Sequence, residues 1–209
     1  MNASRAEALL HTAGRERDRL RRHLLVAAAL REVLKAEPVV VGGTAEEYQS
    51  GSPYHETDLD LVGIVTPDER ATLRSLGFRK RGRHWFHEGS SVAVEFPDTR
   101  IDGDESRIDR IRIARSTAAV IGVDDLYVDR LRQARASVAN VEGSIEFHSA
   151  LAVAAGGYDR IDRRYVLRRI REIESSEGGI GRQMRGLDVL IRRRVRRVLA
   201  DAEDAGLGR

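Results

Sequence analysis

The chain has 209 residues, 41% of them hydrophobic, no cysteine and a formal net charge of +3. That length and apolar content support one large domain or two small ones and exclude global disorder. The lack of cysteine excludes disulfides, thiol catalysis and zinc–thiolate sites. No apolar run reaches the roughly 18 residues of a transmembrane helix, and the opening MNASRAEALLHTAGRERDRLRR lacks the charged-then-apolar layout of a secretory signal. A cytoplasmic enzyme is the simplest expectation. All but two of the 36 basic residues are arginine, the lysines being Lys35 and Lys80. A GC-rich genome explains that bias, and an arginine-lined surface for phosphates or RNA is the functional alternative.

Residues 3–36 are predicted as a helix, with a break near Gly14. Leu20, Leu24, Ala27, Leu30 and Leu34 recur at helical spacing and arginines cover the other face. Pro38 ends it. Val39–Val41 reads as a buried strand, followed by Gly42-Gly43-Thr44 and one or two helical turns over 44–49. A loop over 51–56 leads to a second strand, 58–65. Thr66-Pro67-Asp68-Glu69 has the capping hydroxyl, the proline and the acids of a helix start, and Gly77 closes that helix. Residues 78–81 and 84–87 read as a hairpin turning at Gly82-Arg83. Residues 91–96 form a strand ended by Pro97, 98–106 an acidic loop, and 108–116 an edge strand. Helices follow near 123–138, 144–155, 162–174 and 180–203, with glycines between them. The predicted class is α+β: a small mixed sheet flanked by helices over 1–122, then a helical bundle over 123–209.

The chemistry concentrates between Val39 and Val65. Asp58 and Asp60, two apart on a strand, project to one side. Carboxylates that close repel unless a cation neutralises both. A glycine pair after a strand lets backbone N–H groups approach an anion, and a helix starting there points its N-terminus at a phosphate. Glu95 lies within the apolar strand SVAVEFP, where a carboxylate is costly unless paired or metal-bound. Asp58, Asp60 and Glu95 thus form a three-carboxylate set fit for divalent cations and a nucleoside triphosphate. Glu95 either ligates a second ion or serves as general base. A haloacid-dehalogenase phosphatase is disfavoured because Val62 stands where its motif has threonine, and a glycosyltransferase Asp-x-Asp belongs in a longer domain.

The order GGT, spacer, DLDLV, then a later strand carboxylate resembles the nucleotidyltransferase superfamily of DNA polymerase beta, the aminoglycoside nucleotidyltransferases and the CCA-adding enzymes. The resemblance covers residues 20–135. It implies transfer of a nucleoside monophosphate from an NTP to a hydroxyl acceptor, with release of pyrophosphate and dependence on Mg²⁺. Two ions are possible and Mn²⁺ is a possible substitute. By motif position it implies that Gly42, Gly43 and Thr44 hold the triphosphate and that Asp58, Asp60 and Glu95 are metal ligands and catalytic residues. It extends more weakly to small prokaryotic members, some of them toxins, which follow the sheet with an acidic-then-apolar helix like Val123–Leu131. There a lysine often stands at the position of Arg130, and Lys-Asp-x-x-Asp near Phe147-His148; this chain departs at both. Arg130 is the candidate to reach the triphosphate. Two further functions fit: a non-catalytic module of this fold that binds nucleotide, RNA or protein, and a toxin silenced by an antitoxin.

Outside the motif, His55 and Glu56, with Ser52 and Tyr54, are loop candidates for touching the triphosphate or metal water. Trp85 is either a core aromatic or a base-stacking platform. His84 and His87 are a poor metal pair because residues three apart on a strand face opposite sides. Arg163, Arg164, Arg168 and Arg169, then Arg192, Arg193, Arg194, Arg196 and Arg197, are either solvated faces or a surface for RNA or another polyanion.

Overall fold

The computed structural model describes residues 2–52, 58–136 and 140–204. The chain divides into two compact units, Met1–Tyr48 with Pro53–Gly122, and Gln49–Ser52 with Val123–Arg209.

The first unit opens with two helices, parted close to Gly14 as the sequence pattern suggested. Helix α1 is Ala3–Arg15 and α2 is Arg19–Arg31. The break comes from Glu16 in extended backbone and from Asp18, whose carboxylate caps α2 by accepting from the Arg21 N–H. Gly14 precedes the break by two residues. It lies inside α1, where a Cβ would stand 2.4 Å from the Gly89 carbonyl oxygen, so its lack of a side chain permits close packing.

The strands are β1 Val39–Val40, β2 Asp58–Val62, β3 Phe78–Arg81, β4 His84–His87, β5 Val92–Asp98, β6 Asp109–Ile113 and β7 Ser116–Val120. They form a mixed sheet in the order β3-β4-β5-β2-β1-β7-β6. β1 pairs parallel with β7 and β2 parallel with β5; the other neighbours are antiparallel. The α+β expectation holds. The hairpin at Gly82-Arg83 forms in the expected register, Arg81 opposite His84. The region expected as one edge strand is a hairpin, β6–β7, turning at Ala114 and Arg115, both at positive φ. Pro97 does not end β5; the strand continues to Asp98 beside a register shift between Asp60 and Val62, where a missing N–H is tolerated.

Alternation sets the two faces of the sheet. Leu59, Leu61, Val92, Val94 and Trp85 are buried on one. Leu59 is level with Val94 on β5 and Trp85 on β4, so these three strands share one apolar layer. The intervening residues Asp58, Asp60, Glu95 and His84 come to the other face, half-buried. Helix α4, Pro67–Ser75, starts with a capping box of Thr66 and Glu69. Buried Glu69 also accepts from the Lys35 backbone N–H at 2.6 Å. Burial would raise its pKa, but hydrogen bonds from Thr66 and Lys35 prevail and hold it below the ordinary value.

The second unit is built from α5 Val123–Ala136, α6 Ile145–Gly156, α7 Arg163–Glu177 and α8 Gly179–Asp204. Its core includes Leu126, Tyr127, Leu131, Phe147, Tyr165, Ile170, Met184 and Ile191. Three buried carboxylates are satisfied within it. Asp188 accepts from the Tyr127 hydroxyl at 3.2 Å and from Arg192 at 2.9 Å. Asp125 accepts from the Tyr165 hydroxyl at 2.6 Å, and Asp124 from the Asp162 N–H at 2.7 Å. Among the described residues, no helix is long and apolar enough to cross a membrane.

Candidate active site

The helix expected after the glycine pair is α3, Gly42–Ser50. Gly42 takes φ +62°, and a Cβ there would stand 2.2 Å from the Asp60 Oδ2. The glycine is therefore required by the carboxylate it faces: left-handed backbone and the missing side chain together make room for Asp60. The Val41 N–H bonds to the Asp60 carbonyl at 3.0 Å, which holds the start of α3 against β2.

Asp60 is level with Glu95 across the parallel β2–β5 pair, and Asp58 with Ala93. The three carboxylates thus lie on one face of two adjacent strands. Asp58 and Glu95 converge further, and their third partner is His84 of β4. Its Nε2 stands 3.3 Å from Asp58 Oδ2 and 3.2 Å from Glu95 Oε2. Arg83 Nε reaches the same Glu95 oxygen at 3.0 Å from a side chain that is 73% exposed. The sequence reading missed His84. Its signal was available in part, because Gly82-Arg83 fixes its register against β3, but β4 must also be placed against β5. That placement depends on the one-turn helix Glu88–Ser90 and on positive φ at Ser91, a position not occupied by glycine.

Thr44 is turned inward. It is 5% exposed, and its Oγ1 lies 2.8 Å from His23 Nδ1 of α2. The His23 pKa is pushed down to about 4, first by burial and then by Arg19 and Arg22, against the opposing pull of Asp58. His23 is thus a neutral core group at neutral pH, and the Thr44 side chain is engaged before any ligand arrives.

Arg130 belongs to the second unit, where it is 5% exposed and donates to Gln133 Oε1 at 2.7 Å. Tyr54, His55 and Glu56 lie outside the described residues, and Ser52 is exposed. Trp85 is a core aromatic, 4% exposed, with Lys80 Nζ 5.2 Å from its ring centre. His87 faces away from His84, stacks near Phe78 and bonds to Ser90. Part of the arginine content of α7 and α8 is structural. Arg169 lies 3.8 Å from Asp125, Arg192 grips Asp188, and Arg194 pairs with Glu142.

No protein-family model matches the chain, and no curated protein matches it. Solved structures do. An antigenic nucleotidyltransferase-like protein from Paracoccidioides brasiliensis aligns with a TM-score of 0.53 at 13% identity, over 81% of this chain and 93% of that one. The antibiotic-resistance factor ANT(2″)-Ia aligns with a TM-score of 0.49 at 14% identity, over 80% of this chain and 96% of that one. With its mixed sheet and following helices, the chain has the nucleotidyltransferase-like fold.

Proposed function

We propose that the chain transfers a nucleoside monophosphate from an NTP to a hydroxyl acceptor and releases pyrophosphate. One observation carries the reading. Asp58 and Asp60 of β2 share a sheet face with Glu95 of β5, and Gly42 at the head of α3 is open to the Asp60 carboxylate. Three oxygen-donor side chains in that arrangement suit Mg²⁺, which prefers hard oxygen ligands and keeps several waters. Asp58, Asp60 and Glu95 would hold it; when bound it would neutralise the triphosphate and polarise the α-phosphate.

The rest falls to the chain's own residues. The backbone N–H groups at Gly42 and Gly43, at the positive end of α3, meet the phosphates. The acceptor oxygen forms a bond to the α-phosphorus as the bond to the bridging α–β oxygen breaks, and pyrophosphate leaves with that electron pair. The hydroxyl proton passes to a carboxylate within reach, for which Glu95 is the candidate, or to water. In this proposal the transfer site belongs to residues 1–122.

The test is thermal stabilisation by each of the four NTPs, with and without Mg²⁺, on wild type and on Asp58→Ala/Asp60→Ala. A Mg²⁺-dependent shift absent from the double variant is expected; equal shifts in both proteins overturn the reading. Pyrophosphate release is then followed with candidate acceptors. A second reading is favoured by one feature: the Arg83 guanidinium already pairs with Glu95 at 3.0 Å. A non-catalytic nucleotide-binding module would show the thermal shift with no pyrophosphate released.

A further inference from the structure

Among the described residues, those that converge on this face within metal-ligand reach are not the three carboxylates of the motif. They are Asp58, Glu95 and His84, whose donor atoms all lie within 4.8 Å of one another. His84 Nε2 is closed off from solvent and makes no hydrogen bond, although two carboxylate oxygens stand 3.2 and 3.3 Å away. Both oxygens meet the distance of an ion pair, but neither lies along the direction a ring N–H requires. Atoms bound side by side to one cation at roughly 2.1 Å are separated by about 3.0 Å in an octahedron and about 3.4 Å in a tetrahedron. The two His84 distances fall inside that interval. His84 Nε2 is therefore spaced from each carboxylate as a fellow ligand of a shared ion, and the two carboxylate oxygens lie within 4.8 Å of each other.

We propose that Asp58, His84 and Glu95 form a binding site for a first-row transition-metal dication, with His84 Nε2 as its nitrogen ligand. The inference rests on the same carboxylates as the proposed transfer but concerns a different property, the choice of metal. Magnesium favours oxygen donors and gains little from imidazole, whereas Co²⁺, Zn²⁺ and their neighbours bind it well. Arg83 stands in for the cation at Glu95 Oε2 when no metal is bound, and its exposed side chain is free to turn into solvent. His84 then sets which ion the site selects, while Asp58 and Glu95 set that an ion binds at all.

The experiment is titration calorimetry of the tag-free 209-residue chain with Co²⁺ and separately with Mg²⁺, in the absence of nucleotide. Wild type is expected to bind one Co²⁺ about tenfold or more tighter than Mg²⁺. His84→Gln is expected to lose about tenfold in Co²⁺ affinity while Mg²⁺ affinity stays within about twofold. Arg83→Ala is expected to strengthen Co²⁺ binding, because a competitor for Glu95 is gone. Wild-type Co²⁺ affinity in His84→Gln overturns the proposal. Pulsed EPR of the Mn²⁺-loaded wild type reads nitrogen coupling directly and does not depend on any variant folding; no coupling to an imidazole nitrogen also overturns it. Failure here leaves the Mg²⁺–NTP shift untouched, and loss of that shift leaves the nucleotide-free Co²⁺ result standing, so the two readings fail separately.

Discussion

Two sets of carboxylates in this chain have been removed from bulk water to different ends. In the helical unit, Asp188 and Asp125 are 2% and 1% exposed, and each accepts a tyrosine hydroxyl. Asp188 adds a two-point pairing with Arg192, and Asp124 receives a backbone N–H. In the sheet unit, the Asp58 and Glu95 side chains are 27% and 15% exposed and turn toward each other, with His84 between them and exposed Arg83 at the edge. A buried carboxylate is stable when donors surround it. A carboxylate that faces another is stable only when a cation comes between. The first set therefore belongs to the architecture, and the second is the set proposed to hold a ligand.

The largest effect that would break this contrast is in the helical unit. Asp188→Ala leaves the Tyr127 hydroxyl and the Arg192 guanidinium without their acceptor. The expected loss is about 3 kcal/mol, at the lower end for a broken buried pair because Arg192 is partly exposed and turns to water. A urea melt measures it. The Tyr127 phenol, its pKa pushed up first by burial and then by Asp188, stays neutral throughout. A loss within experimental error would mean that the buried acids of this unit are not structural.

A comparable effect follows from pH in the sheet unit. His23 has a folded pKa of about 4 against an ordinary value of 6.5. Above 6.5 both states are neutral there and stability is flat. As pH falls below 6.5 the unfolded chain takes up a proton that the folded protein refuses, so stability declines until about 4. The total loss is about 3 kcal/mol. Denaturant midpoints between those limits should fall for wild type, and His23→Gln should remove that part of the slope.

Gly42→Ala comes next. Alanine in left-handed backbone costs about 1–2 kcal/mol, and its Cβ displaces Asp60 as well, so a loss of about 2 kcal/mol is expected. The Mg²⁺-dependent NTP shift should fall with it. Stability loss with a full NTP shift would separate the glycine from the proposed phosphate site.

How much of this the sequence announced depends on whether a local residue type carried the information. The Gly82 hairpin and the Thr66–Glu69 capping box were legible because turns and caps have residue preferences. The β6–β7 hairpin was not, because Ala114 and Arg115 take positive φ without the glycine or asparagine that signals it. The placement of Asp58 and Asp60 on one side followed from strand periodicity alone. That Glu95 stands level with Asp60 needed the pairing of β2 with β5, which are separated by a helix and a hairpin. His84 needed one pairing more. Thr44 read as a phosphate ligand by position, yet its hydroxyl faces His23, which sits in a helix two elements earlier.

The smallest expected effect on stability sharpens the contrast most. Asp58→Asn and Glu95→Gln keep size and remove charge from a pair that repels. Each should change the urea midpoint by no more than about 0.5 kcal/mol, and a gain is the expected sign. Glu95→Gln also gives up an ion pair with Arg83, but that side chain is 73% exposed and such pairs contribute little. The same two variants should abolish the Mg²⁺-dependent NTP shift. A protein that keeps its stability and loses its ligand has carboxylates held in place for something outside the chain. A loss as large as that of Asp188→Ala would instead make Asp58, His84 and Glu95 an internal tie of the sheet, and the two sets of acids would be one kind.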